Sequence, residues 1–116
     1  MGKARRQPGD TERTFAAGDV ILRRGDEGTE MFVIRAGEVD IRRDGVMARL
    51  GPGEFFGEMS LLESLPRDAD VVAVSDVHLL VLTQGGLLFR LRRDPTFALE
   101  MLHRLSGRIR TLNARP

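Results

Sequence analysis

The sequence predicts a mainly β fold with C-terminal α: a roll of short strands followed by two helices. Two observations predict it. Glycines recur at positions 18, 25, 28, 37, 45, 51, 53 and 57, with short runs of Val, Ile, Leu and Phe between them. That is the pattern of strands joined by turns in a barrel or sandwich. After Thr83 the apolar period lengthens from two to roughly 3.6, the helical value.

Residues 1–13 are polar and charged, poor in apolar groups, and read as a mobile tail ahead of a domain at 14–116. The strand runs are Val20–Leu22, Met31–Arg35, Val39–Arg43, Met47–Leu50, Val71–Val74 and His78–Leu82. Asp44-Gly45 marks a tight hairpin, because such a turn needs positive φ and these residues tolerate it. Leu50-Gly51-Pro52-Gly53 marks another turn. Glu58 to Leu65 can form a short helix with Leu61, Leu62 and Leu65 on its buried side. Leu87, Leu88 and Leu91 fit a helix ending at Asp94-Pro95. Ala98, Leu102, Leu105, Ile109 and Leu112 then alternate spacings of four and three, a helical seam that Phe97 and Met101 widen. The seam could pack on the roll or pair two chains.

With 116 residues the chain has room for one core but not two. It has no cysteine, and its two histidines, His78 and His103, are far apart, which argues against a disulfide framework or a metal site. No nucleophile with an adjacent base is visible, so the reading is of a non-enzyme. A net charge of +1 argues against a generally basic nucleic-acid binder. Seven arginines between Arg90 and Arg115 face only two acids, but the chain lacks Tyr and Trp for base stacking. The N-terminus has charge without an apolar segment, Arg6 stands where a myristoylation signal needs a hydroxyl, and no run approaches ~20 apolar residues. A cytoplasmic location, without a membrane segment, is expected.

The chemistry concentrates in Phe55-Phe56-Gly57-Glu58-Met59-Ser60 and in Pro66-Arg67-Asp68-Ala69. Gly57 stands where the first helix amides lack partners, and those amides favour an anion. Glycine there lets a ligand approach the backbone. Glu58 would repel a bare phosphate but can accept a hydrogen bond from a sugar hydroxyl. Arg67 offers a planar fork of donors suited to phosphate oxygens, and Pro66 stiffens the turn before it. A structural alternative is a plain strand-to-helix turn with a capping acid and a surface arginine, or a Glu58–Arg67 pair.

Phe15-x-x-Gly18-Asp19-x-Ile21, Gly25-x-x-Gly28 and Met31-Phe32-Val33-Ile34-x-x-Gly37-x-Val39 precede this cradle. Taken together, residues 15–113 resemble the cyclic nucleotide-binding domain family. That family includes kinase regulatory subunits, gated channels and bacterial catabolite activators. The resemblance implies an eight-stranded, jelly-roll-like β-roll (a double-stranded β-helix) with a short phosphate-binding helix, its cassette at Phe56–Ala69, and C-terminal helices. It implies a signalling, regulatory domain that takes cyclic AMP or cyclic GMP as ligand and needs no cofactor. By position, Gly57, Met59 and Ser60 resemble residues facing the nucleotide. Glu58 resembles the ribose-binding acid and Arg67 the phosphate-neutralising arginine, and Asp68 and Ala69 fall where the family next contacts the phosphate. Arg108 resembles a helix residue reaching back to the ribose-binding acid, and Leu112 and Asn113 fall where the activator branch contacts the base.

Asp68 departs from the pattern, where the family usually has Ala, Ser or Thr. Its carboxylate either splays outward, or pairs with Arg67 and closes the cradle, leaving an interaction module that binds no nucleotide. The missing threonine favours cyclic AMP over cyclic GMP. No helix-turn-helix follows the last helix, so the effector is expected on a partner, with homodimerisation through the C-terminal helix possible.

Overall fold

The computed structural model describes residues 11–113, apart from the side chain of Leu112. Residues 1–10 of the expected tail, residues 114–116 and the part expected of Leu112 lie outside the described residues. Eight strands come in the order β1 (Thr11–Phe15), β2 (Val20–Leu22), β3 (Met31–Ala36), β4 (Val39–Arg42), β5 (Val46–Leu50), β6 (Phe55–Phe56), β7 (Asp70–Ala73) and β8 (Val77–Leu82). Three helices accompany them: α1 (Glu58–Glu63), α2 (Gln84–Arg93) and α3 (Pro95–Asn113). The strands form two four-stranded sheets, ordered β1-β8-β3-β6 and β2-β7-β4-β5, with antiparallel neighbours throughout. The roll is thus two facing sheets, as expected of a sandwich.

The apolar runs of β3 and β8 follow from burial on both faces. Successive strand side chains point to opposite sides. Phe32, Ile34, Leu79 and Val81 join Val39, Leu50, Phe56, Val71 and Ala73 in the core between the sheets. Met31, Val33, Leu80 and Leu82 pack instead with Leu61, Leu87, Phe97 and Met101 beneath the helices. In β6 the two phenylalanines divide likewise: Phe56 enters the inter-sheet core and Phe55 the helix-side core.

Turn and cap chemistry meets the sequence closely. The β4–β5 loop turns through Asp44 and Gly45 at φ 59° and 107°. Thr83 caps α2 by accepting from the Gly86 amide at 3.1 Å, and Asp94 caps α3 by accepting from the Phe97 amide at 3.1 Å. Pro95 takes the first helical position, where its missing N–H costs nothing. Asp40 is buried at 2% exposure, yet Arg49 opposite it in β5 donates at 2.8 Å. That hydrogen bond, with a second from Arg42, holds its carboxyl below the usual carboxylate range against the pull of burial.

Four expectations need correction. Residues 11–13 are not tail but part of β1, which pairs with β8; as an exposed edge strand, Thr-Glu-Arg-Thr carries no apolar alternation to read. β6, two residues long, was too short to register as a strand. α1 ends at Glu63, not Leu65, with Ser64 at φ 56°, because the residue before a proline disfavours helix and Leu65 precedes Pro66. In so short a helix only Leu61 reaches the core, while Leu62 and Leu65 are 55% and 42% exposed. Last, the buried stripe of α3 is Phe97, Met101 and Leu105, one row round from the expected seam. Leu102 and Ile109 stand 63% and 58% exposed.

Candidate functional site

The site forms where the β6–α1 corner meets the stretch before β7. Gly57 turns the chain at φ 82°, a left-handed value that glycine adopts without strain. Its carbonyl accepts from Arg67 Nη1 at 3.2 Å, and the Glu30 carbonyl accepts from the same nitrogen at 2.9 Å. The guanidinium also lies 5.7 Å from the centre of the Phe32 ring, which stacks on Phe56 at 5.1 Å. Arg67 is therefore not a surface arginine: it is only 6% exposed.

The electrostatics of Arg67 are those of an undercompensated charge. Among the described residues no carboxylate forms an ion pair with it, and its acceptors are main-chain carbonyls. Burial lowers its pKa below the ordinary arginine value, with the Glu30 carboxylate acting in the opposite sense. The side chain stays protonated. A buried cation facing only neutral acceptors leaves several kcal/mol of desolvation incompletely offset, and an anion would supply the missing interaction.

Glu58 has a different partner. Arg108, from the fourth turn of α3, donates Nη1 to Glu58 Oε1 at 2.8 Å and Nη2 to the Phe55 carbonyl. The Arg108 guanidinium sits 4.5 Å from the centre of the Phe55 ring. One turn earlier, Arg104 approaches Glu54 at 3.7 Å. Arginines and acids each four residues apart thus meet in parallel, and α3 is strapped to the corner that begins the site.

The structure brings Gly57, Glu58, Arg67 and Arg108 into this one assembly. Ser60 and Ala69 are buried beside it in sequence, at 2% and 5% exposure, and Met59 is 44% exposed. Asp68 points outward, exposed, and forms no ion pair with Arg67. Asn113 is exposed at the end of α3. Neither the Glu58–Arg67 pair nor the Asp68–Arg67 closure is formed. Sequence reasoning missed the Glu30 carbonyl and the Phe55 and Phe32 rings. Main-chain acceptors have no residue signature, and the phenylalanines read as core.

Comparison with known proteins places this geometry. The family model for the cyclic nucleotide-binding domain matches residues 12–94. A cyclic AMP receptor protein of Thermus thermophilus is 38% identical over 104 residues, which are 84% of this chain and 48% of that protein. A cyclic nucleotide-gated potassium channel of Mesorhizobium japonicum is 46% identical over 86 residues, 74% of this chain and 24% of the channel. The solved structure of the Thermus thermophilus catabolite activator protein superposes with a TM-score of 0.76 at 35% identity, covering 90% of this chain and 52% of that one. The chain belongs to the cyclic nucleotide-binding domain family. It spans about half the length, or less, of these relatives. Among the described residues no helix is long and apolar enough to cross a membrane.

Proposed function

We propose that this domain senses a cyclic nucleotide, cyclic AMP in preference to cyclic GMP, and passes the signal to an effector on a partner or another segment. One observation carries the reading: a buried guanidinium, Arg67, whose hydrogen-bond acceptors among the described residues are two main-chain carbonyls. The cyclic phosphate is the anion that completes it. Glu58 accepts from the ribose hydroxyl, and Gly57, Met59, Ser60, Asp68 and Ala69 contribute backbone or small contacts around the phosphate. α3 acts as the lid: Arg108 ties it to Glu58, and Asn113 lies on the part that closes over the base. The cyclic AMP preference rests on the absence of a threonine at position 68 and on the name of the Thermus relative. Ligand binding shifts the lid between open and closed states by no more than its differential affinity for them.

The test is a thermal-shift titration with cyclic AMP, cyclic GMP and 5′-AMP. Stabilisation by both cyclic nucleotides, larger for cyclic AMP, is expected, since a ligand that binds only the folded state raises its stability. No shift at millimolar ligand rejects the sensor. Asp68 supplies a graded check. A carboxylate ~4 Å from a phosphate costs about 1 kcal/mol in water; Asp68 points outward, so Asp68→Ala should tighten binding by less than about fivefold. Weaker binding means that the Asp68 side chain contributes to the site, and unchanged binding that it stays clear of the phosphate.

A second reading has its own observation. Leu99, Leu102 and Ile109 are 68%, 63% and 58% exposed on α3, and with Ser106 and Asn113 they repeat at spacings of three and four. That is the spacing of a coiled-coil seam, with Ser106 and Asn113 as its polar positions, and a homodimer through α3 would cover the three apolar side chains. Sedimentation at micromolar concentration should show a dimer that Leu102→Glu converts to a folded monomer. A monomeric wild type removes the dimer.

A further inference from the structure

We infer that Gly28, in the loop between β2 and β3, is a positioning residue whose missing side chain creates the slot holding the Arg67 guanidinium. The inference rests on the sensor reading above, in which Arg67 meets the cyclic phosphate. A Cβ placed on Gly28 would lie 2.4 Å from Arg67 Nη2, 2.7 Å from Nε and 2.8 Å from Cζ. These distances are shorter than real carbon contacts allow.

Backbone conformation gives no other reason for glycine at this position. Gly18, Gly25, Gly37, Gly45, Gly53 and Gly57 all have positive φ, and Gly28 does not. The strain that a positive φ imposes on an alanine is therefore absent at Gly28, and what a Cβ there meets is the guanidinium. The opposite wall is Gly57, where a Cβ would lie 2.9 Å from Arg67 Nη1, and the Phe32 ring adds a further side.

The loop grips the arginine by its backbone as well. The Gly25 amide donates to the Arg67 carbonyl at 2.8 Å, and the Arg67 amide donates to the Asp26 carbonyl at 2.9 Å. With the Glu30 carbonyl on Nη1, one loop fixes both ends of the residue. A methyl on Gly28 must therefore drive the guanidinium out of its slot while the main chain of Arg67 stays clamped. The charged group then leaves the position from which it can reach a ligand seated at Gly57.

A double-mutant cycle tests this with wild type, Gly28→Ala, Arg67→Ala and the double variant. Tm is read without ligand, and affinity by titration with cyclic AMP. Gly28→Ala alone should lower Tm by about 4 °C or more and weaken binding about tenfold or more, the loss of one well-placed charged hydrogen bond. In the Arg67→Ala background the methyl enters vacated space. Tm should then stay level or rise, because alanine restricts the unfolded chain where its φ is allowed, and the residual affinity should hold within about twofold. Gly51→Ala is the control, since that glycine faces open space without positive φ, and it should change neither readout. Equal loss of Tm in both backgrounds overturns the inference, as does full affinity in Gly28→Ala. If wild type binds no cyclic nucleotide, the sensor reading fails and the positioning role with it, whereas the ligand-free Tm cycle still reports on the slot.

Discussion

Arg67→Ala is expected to weaken cyclic nucleotide binding by about two orders of magnitude or more, with the fold intact. Each hydrogen bond to a charged group contributes ~1.5–3 kcal/mol, and a guanidinium fork can offer a phosphate two. The reason to expect the full amount is the state of the arginine before ligand arrives. It is buried, its pKa is lowered by that burial, and its acceptors are the neutral carbonyls of Glu30 and Gly57. Titration calorimetry on wild type and variant measures the loss, and circular dichroism reports the fold. An affinity that survives the substitution would show that the nucleotide is held elsewhere. Arg67→Lys discriminates further: an ammonium keeps the charge but not the fork, and should recover only part of the loss.

Phe55→Ala is expected to destabilise the domain by ~3–5 kcal/mol, the usual range for truncating a buried phenylalanine. Phe55 is 1% exposed and packs with Met31, Val33, Leu61, Phe97 and Met101, so the cavity would open between sheet and helices. A loss of that size approaches the whole stability of a small domain, and Tm should fall by about 12 °C or more. The same ring lies 4.5 Å from the Arg108 guanidinium, so the variant should also loosen α3. Hydrogen exchange would then be faster in α3 than in β3 or β8. Phe55→Leu, which fills much of the space without a π face, should restore most of the Tm but less of the protection of α3. A Tm loss of under ~1 kcal/mol equivalent would mean that the helix-side core does not depend on this residue.

Local chemistry carried much of the fold in the sequence. Asp44-Gly45 and Asp94-Pro95 act through neighbours one to three residues away, so that turn and that helix end could be read directly, while the caps made by Thr83 and Asp94 were not read. The apolar runs of β3 and β8 were equally visible, because burial on both faces leaves little polar residue in them. What escaped depended on the assembled molecule. β1 is polar because it is an edge, and β6 is too brief to show a period. The orientation of α3 was misjudged because rows 97–101–105 and 98–102–109 are both apolar, and only packing on the sheets chooses between them. At the site, Gly57, Glu58 and Arg67 drew attention by residue type and spacing. Gly25-x-x-Gly28 was visible as a pattern too, but its consequence was not, since the contact between Gly28 and Arg67 spans two separate loops.

The most direct test is a crystal structure of the chain grown with saturating cyclic AMP. The sensor reading expects the cyclic phosphate within hydrogen-bond reach of the Arg67 guanidinium and a ribose hydroxyl on Glu58. A structure in which Arg67 still donates only to Glu30 and Gly57, with the nucleotide elsewhere or absent, would contradict it.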